Sequence, residues 1–197
     1  MSFETSDVYF LKKVFSILIT GIVIKIMDDY FDQDIDALEK QPNIYMAMEY
    51  GGLPYTLLLF SLAFMLDPIT ALSLFFSSFA IGMVGHLTVK MPSGLYGYHE
   101  SIIVVLLGFV LLKLEMLSSL FIVMVIQLWD DYLDYEKDRM NKYNLAFQLG
   151  KVECLLLAVI LFLLTAYFDY IKAIASIIAM HVIVYIIRLL PDNQKPI

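Results

Sequence analysis

The chain is acidic and strongly apolar: its 197 residues are 60% hydrophobic and 17% charged, with a mean hydropathy of +0.78 and a net charge of −7 at pH 7. Because a soluble domain is typically about half apolar and about a quarter charged, this composition excludes an ordinary soluble domain and favours a helical membrane protein. The sequence has no basic patch with interleaved aromatics, which argues against nucleic acid as a partner. Its single cysteine, Cys154, excludes an intrachain disulfide and a cysteine-based metal site.

Long apolar runs predict a polytopic transmembrane helical bundle, all-α and forming one domain over residues 1–197. Gly51, Gly52 and Pro54 predict a broken start for the second span. Tight turns are predicted at 67–68 and at 113–115, and the fourth span is expected to extend back into the loop MPSGLYGYHE. The seven predicted spans are 8–30, 45–66, 69–90, 101–112, 116–129, 152–168 and 171–190.

Two acidic motifs repeat without a gap at the ends of the first and fifth spans, at residues 28–36 and 130–138. Each reads D-D-Y-x-D-x-x-x-D, and on an α-helix the four aspartates fall within roughly a 100° arc. Carboxylates without histidine or cysteine suit Mg²⁺, which commonly bridges proteins to substrate phosphates. The predicted metal ligands are Asp28, Asp29, Asp32, Asp36, Asp130, Asp131, Asp134 and Asp138.

The number of spans also predicts where the motifs lie. Four crossings separate the first motif from the second, so both are expected on one side of the membrane. Lysine and arginine are about twice as frequent on that side, which by the positive-inside rule predicts an integral membrane protein with its site facing the cytoplasm.

With this spacing the sequence resembles the UbiA superfamily of intramembrane prenyltransferases, which carry an N-D-x-x-D-x-x-x-D motif and a second D-x-x-D-x-x-x-D motif. The segment NKYNLAFQLGK, residues 141–151, also resembles a family segment. The resemblance implies a helical bundle in which two Mg²⁺ ions bind a prenyl diphosphate, with the prenyl tail in an apolar cavity open to membrane lipid. Here Asp28 stands where the family has Asn, and two of the nine usual spans are missing, so a second copy could close the bundle.

Ionisation of an allylic diphosphate also needs cationic and aromatic side chains. We expect catalytic roles for Lys25, Lys90, Tyr132 and Arg139, and contacts with the substrate from Tyr30, Tyr135, Lys137 and Lys142. Lys25 could equally balance the charge of Asp28 or Asp29, and the tyrosines could be aromatic residues of the membrane interface.

Three functions are compatible with these patterns. The first is prenyl transfer from a polyprenyl diphosphate to an acceptor. The second is a terpene synthase of the same type, in which the chain cyclises without an acceptor. The third is a divalent-cation transporter with paired acidic motifs, although acids at helix ends fit it less well than acids in mid-span.

Overall fold

The computed structural model describes residues 2–31, 33, 43–82, 90–91, 93–133, 135 and 144–189. Within these ranges the only β-structure is an isolated bridge between Lys90 and Tyr96, and the predicted all-α class is confirmed. A 3-10 turn, Glu49–Gly51, joins the second helix to the third. The described α-helices are α1 (Ser2–Phe31), α2 (Ile44–Ala47), α3 (Gly52–Leu66), α4 (Pro68–Gly82), α5 (Gly97–Leu112), α6 (Leu114–Leu133), α7 (Leu145–Leu149), α8 (Lys151–Phe168) and α9 (Tyr170–Leu189).

Among the described residues, three helical segments are long and apolar enough to cross a membrane: Leu114–Leu133, Lys151–Phe168 and Tyr170–Ile187. The apolar helices α3, α4 and α5 are shorter, so the seven-span bundle stays a prediction. The broken start of the second span is observed, since α2, the 3-10 turn and α3 replace one continuous helix. The fourth predicted span does extend backwards, as far as Gly97.

The distribution of side chains is also that of a helical membrane protein. Large apolar residues lie on the outside, as on α8, where Val152 is 65% exposed and Leu163 is 61% exposed. Small and polar residues are buried instead, among them Ser16, Ser73 and Ser119. In lipid the outer faces need no burial, and small residues allow helices to approach closely.

The chain divides into two compact units. The first comprises Met1–Ala71 and Ala175–Ile197, and the second Leu72–Ile174. In the first unit α1 packs against α3 and against α9, where a Cβ added at Gly21 would lie 2.8 Å from Cδ1 of Ile183. In the second unit α6 packs against α8, and the Ser119 hydroxyl donates to Oγ of Ser73 on α4 at 2.8 Å.

An internal repeat relates α1, α3 and α4 to α6, α8 and α9, and it is far longer than the acidic motifs. Its period is 102 positions, the separation of Asp28 from Asp130. On α1 the buried positions Ser16, Ile17, Thr20, Val23, Ile26 and Asp29 correspond to the buried Ser118, Ser119, Ile122, Val125, Leu128 and Asp131 on α6. On α3 the buried Gly52, Thr56 and Ala63 correspond to Cys154, Ala158 and Thr165 on α8.

The repeat includes the corners between helices. Asp67 ends α3 with an extended backbone, and its Oδ1 accepts from the main-chain N–H of Thr70 at 3.2 Å. At the equivalent corner Asp169 ends α8, and its Oδ1 accepts from the N–H of Lys172 at 3.0 Å. Each aspartate therefore caps the first turn of the following helix, which confirms the tight turn predicted at 67–68.

Candidate functional site

The first acidic motif begins in the last described turn of α1, where Asp29 is buried beside α2. Its Oδ2 accepts from the main-chain N–H of Ile44 at 2.6 Å. The Nδ2 of Asn43 donates to the main-chain oxygen of Asp29 at 2.6 Å, while Oδ1 of Asn43 caps α2 by accepting from the N–H of Met46 at 2.8 Å. Asp29 and Asn43 together hold the start of α2 against α1.

The second acidic motif has the same arrangement at the end of α6. Oδ2 of the buried Asp131 accepts from the main-chain N–H of Leu145 at 2.9 Å. The Nδ2 of Asn144 donates to the main-chain oxygen of Asp131 at 3.1 Å. Oδ1 of Asn144 caps α7 by accepting from the N–H groups of Ala146 and Phe147, at 2.9 and 3.3 Å.

We call each of these arrangements a clasp: the first consists of Asp29, Asn43 and Ile44, and the second of Asp131, Asn144 and Leu145. Helix ends leave main-chain N–H and C=O groups without partners in the helix, and buried groups of this kind need hydrogen bonds from elsewhere. The aspartate carboxylate satisfies an N–H at the start of the short helix, and the asparagine amide satisfies a carbonyl near the end of the long one. Each clasp therefore fixes how the chain returns after the motif.

The other oxygen of each clasp aspartate also has an equivalent donor, four residues earlier on the same helix. Nζ of Lys25 lies 2.8 Å from Oδ1 of Asp29, and Nε2 of Gln127 donates to Oδ1 of Asp131 at 3.3 Å. Lys25 and Gln127 occupy corresponding positions of the repeat. Oδ1 of the clasp aspartate therefore faces a lysine ammonium group in the first copy and a glutamine amide in the second. Lys25 is also 3.2 Å from Oδ2 of Asp28, which brings this predicted catalytic residue into the motif.

The predicted metal ligands separate into three groups. Asp28 and Asp130, each first in its motif, are exposed, whereas Asp29 and Asp131 are buried in the clasps. The remaining four, Asp32, Asp36, Asp134 and Asp138, lie outside the described residues.

The chemistry of these carboxylate oxygens fits Mg²⁺, because they are hard ligands without histidine or cysteine among them. Within the described ranges, however, no three acidic, histidine or cysteine side chains come together as a metal cluster. Metal binding by the motifs therefore stays a prediction.

The structure brings two of the predicted tyrosines together around a lysine that the sequence did not single out. Nζ of Lys151, at the start of α8, lies 5.3 Å from the centre of the Tyr132 ring and 5.2 Å from that of Tyr135. The Tyr135 ring also stacks on Phe147 with their centres 4.5 Å apart. An ammonium group over two rings is a cation–π arrangement that holds all three side chains in one cluster.

The other predicted site residues make separate contacts or lie outside the described part of the chain. Tyr30 is exposed and meets the Tyr45 ring edge-on, with centres 4.8 Å apart. Lys90 is exposed, and its bridge to Tyr96 closes a turn before α5. Lys137, Arg139 and Lys142 lie outside the described residues.

The sequence prediction did not include Asn43, Asn144, Gln127 or Lys151. One signal for the two asparagines was present, since each directly precedes a short apolar segment and asparagine is a favoured N-cap. Their spacing concealed the correspondence: Asn43 follows Asp29 by 14 positions and Asn144 follows Asp131 by 13. A gapless comparison at the 102-residue period therefore aligns Asn43 with Leu145 and misses the match between the two asparagines.

No family model matches this sequence, and neither a curated protein nor a solved structure matches it.

Proposed function

We propose that the protein is a Mg²⁺-dependent intramembrane prenyltransferase that acts on a polyprenyl diphosphate. The observation that carries this proposal is the equivalence of the two acidic motifs. Each begins at the end of an apolar helix, is followed by the same clasp, and has its first aspartate exposed. A duplicated set of hard oxygen ligands suits the binding of a diphosphate through Mg²⁺. The resemblance of the motifs to those of UbiA-type enzymes points to a prenyl diphosphate as the substrate.

In the proposed reaction the bond between the prenyl carbon and the diphosphate oxygen breaks, and diphosphate leaves with the electron pair. A nucleophilic atom of the acceptor bonds to that carbon and loses its proton. Mg²⁺ bound by the motif carboxylates would neutralise charge on the leaving group. Lys25, Lys90 and Arg139 would add positive charge there, and Lys137 and Lys142 would bind the diphosphate oxygens.

The aromatic residues have a separate role in this proposal. The face of the Tyr132 ring would shield the cationic prenyl carbon, and Tyr30 and Tyr135 would contact the substrate. Lys151, which lies against Tyr132 and Tyr135, is a further cation at the second motif. The prenyl chain would extend among the membrane-facing helices, with both motifs on the cytoplasmic side.

The test is release of diphosphate by purified protein reconstituted in liposomes, with Mg²⁺ and prenyl diphosphates of several lengths, with and without lipid and aromatic acceptors. We expect release that depends on Mg²⁺ and on an acceptor. Asp32→Ala and Asp134→Ala should each abolish it, because each removes a carboxylate from one motif. Asp7→Ala is the matched control, since Asp7 is an exposed acid of α1 outside the motifs.

Other outcomes distinguish the alternatives. Release without an acceptor, giving a cyclic hydrocarbon or an alcohol, would indicate a terpene synthase. No release with any diphosphate, together with Mg²⁺ flux across the liposome membrane, would indicate a transporter and overturn the enzymatic proposal. Full activity of Asp32→Ala or Asp134→Ala would exclude a mechanism that needs both motifs.

A further inference from the structure

We infer that Asp29 and Asp131, the second aspartates of the two motifs, are positioning residues and not metal ligands. They anchor the short helices α2 and α7 through the clasps, and the remaining acids of the motifs are left for the metal. The geometric part of this inference is independent of function, whereas its consequence for Mg²⁺ rests on the proposed function.

Hydrogen bonding is the first argument. In both aspartates Oδ2 accepts from a main-chain N–H of the short helix, at 2.6 Å from Ile44 and 2.9 Å from Leu145. In both, Oδ1 faces the donor four residues earlier. Because both oxygens already face donors in each copy, a metal would have to displace protein hydrogen bonds in order to bind there.

Burial is the second argument. The Asp29 side chain is 1% exposed, whereas that of its neighbour Asp28 is 60% exposed. Asp131 is likewise buried beside the exposed Asp130. Adjacent residues of a helix point about 100° apart, so one aspartate of each pair faces the protein while the other faces outward. A hydrated Mg²⁺ that retains several waters would be accommodated on the outward face.

Repetition is the third argument. The two clasps use the same three kinds of hydrogen bond, although a buried apolar residue one turn earlier differs between the copies, as Ile26 differs from Leu128. Each clasp also holds the main chain at the residue that follows the exposed first aspartate of its motif, Asp28 or Asp130. A carboxylate that fixes this helix end therefore positions the neighbouring carboxylate.

The second copy offers a clean test, because its Oδ1 partner is an amide. In Asp131→Asn the new amide oxygen can still accept from the N–H of Leu145, and Gln127 can rotate its own amide to accept from the new NH₂. The hydrogen bonds of the clasp are kept in this variant, but the negative charge of Asp131 is lost. Asp131→Ala removes both, and Asp130→Asn is the matched control that removes one charge from the exposed neighbour.

The first measurement is amide hydrogen exchange at Leu145 in the purified protein without Mg²⁺ or substrate. We expect wild type, Asp131→Asn and Asp130→Asn to protect this amide, and Asp131→Ala to lose the protection. Unchanged protection in Asp131→Ala would overturn the clasp. Loss of protection in Asp131→Asn would show that the negative charge is essential, and would likewise overturn the inference.

The second measurement is the Mg²⁺ dependence of prenyl diphosphate binding. Asp131→Ala should weaken apparent Mg²⁺ affinity on the order of 10-fold to 100-fold, as expected for loss of an outer-shell partner, and Asp131→Asn should restore it. Asp130→Asn should weaken Mg²⁺ binding without changing exchange at Leu145.

If Asp131→Asn weakens Mg²⁺ binding as much as Asp130→Asn does, Asp131 is a ligand and the inference is wrong. If Asp131→Ala leaves Mg²⁺ affinity unchanged, the clasp is structural only and the positioning role is excluded. If wild type binds no prenyl diphosphate, the proposed function fails, and the exchange measurement alone decides the inference.

Discussion

Nζ of Lys172 lies 2.5 Å from Oε2 of Glu115, and the lysine is fully buried while the glutamate side chain remains 38% exposed. The lysine also donates to the hydroxyls of Ser118 and Ser119, at 2.9 and 3.0 Å. This polar cluster joins the start of α9 to the start of α6 within the second unit. The unequal burial of the two charges determines what each substitution should cost.

Removal of Glu115 should destabilise the protein more than removal of Lys172. Glu115→Ala removes the carboxylate that faces a buried ammonium; breaking a fully buried ion pair typically costs roughly 3–5 kcal/mol, and the partial exposure of Glu115 lowers the expected cost below that range. Lys172→Met leaves a carboxylate that water can reach, so its cost should be lower. Thermal unfolding in detergent would measure both, with the exposed Lys12→Met as the control. An equal cost for the two variants would contradict this account.

A second prediction concerns the charge at the first clasp. Lys25→Gln introduces the residue that the second copy has at this position, so a hydrogen bond to Asp29 should persist. Because the buried Asp29 carboxylate loses its counter-charge, stability should fall, but by less than the roughly 3–5 kcal/mol typical of a broken buried ion pair. Diphosphate release should also fall, because a positive charge beside Asp28 is lost. The measurements are the unfolding midpoint and the rate of release. An undiminished rate of diphosphate release would show that Lys25 serves only as a partner of Asp29, and would exclude its predicted catalytic role.

The helices could be predicted well because their ends have strong local signals. Asp67 with Pro68 separates α3 from α4, and the glycines at 51 and 52 interrupt the start of the second predicted span. Apolar runs between such breaks can hardly form anything but helices in a membrane protein. Length and composition identify three spans among the described helices, since the described parts of α3, α4 and α5 each have fewer than 18 residues.

The sequence carries the repeat beyond the acidic motifs, in identities such as Ser16 with Ser118 and Asp67 with Asp169. Other buried positions differ, as Ile26 differs from Leu128, because positions that pack between helices need only suitable size and polarity. The hydrogen bonds of the two clasps could not be predicted, since Ile44 and Leu145 contribute main-chain groups whose partners are apparent only in three dimensions.

A third prediction tests helix packing in the second unit. Gly108 of α5 is buried against Met116 of α6, and a Cβ added at Gly108 would lie 2.6 Å from the methionine sulfur. Gly108→Ala should lower the free energy of unfolding by about 1–3 kcal/mol through overpacking. Gly82→Ala is the matched control, because no other described part of the chain, apart from its chain neighbours and its own helix backbone, has an atom within 4 Å of an added Cβ there. Chemical denaturation in detergent would compare the two, and the double variant Gly108→Ala with Met116→Ala should remove the clash. An undiminished unfolding free energy for Gly108→Ala would show that Met116 moves aside without cost.

The last prediction separates the ring of Tyr132 from its hydroxyl. Lys151 lies over this ring, and the proposed shielding of a prenyl cation uses a face of the same ring, so both depend on the ring's π-electrons. Tyr132→Phe keeps that face and should reduce diphosphate release less than Tyr132→Leu, which removes it. Rates of release with saturating Mg²⁺ would test this, with the unfolding midpoint as a check on folding. If Tyr132→Phe is as impaired as Tyr132→Leu while both remain folded, the hydroxyl is the active group and cation shielding by this ring is excluded.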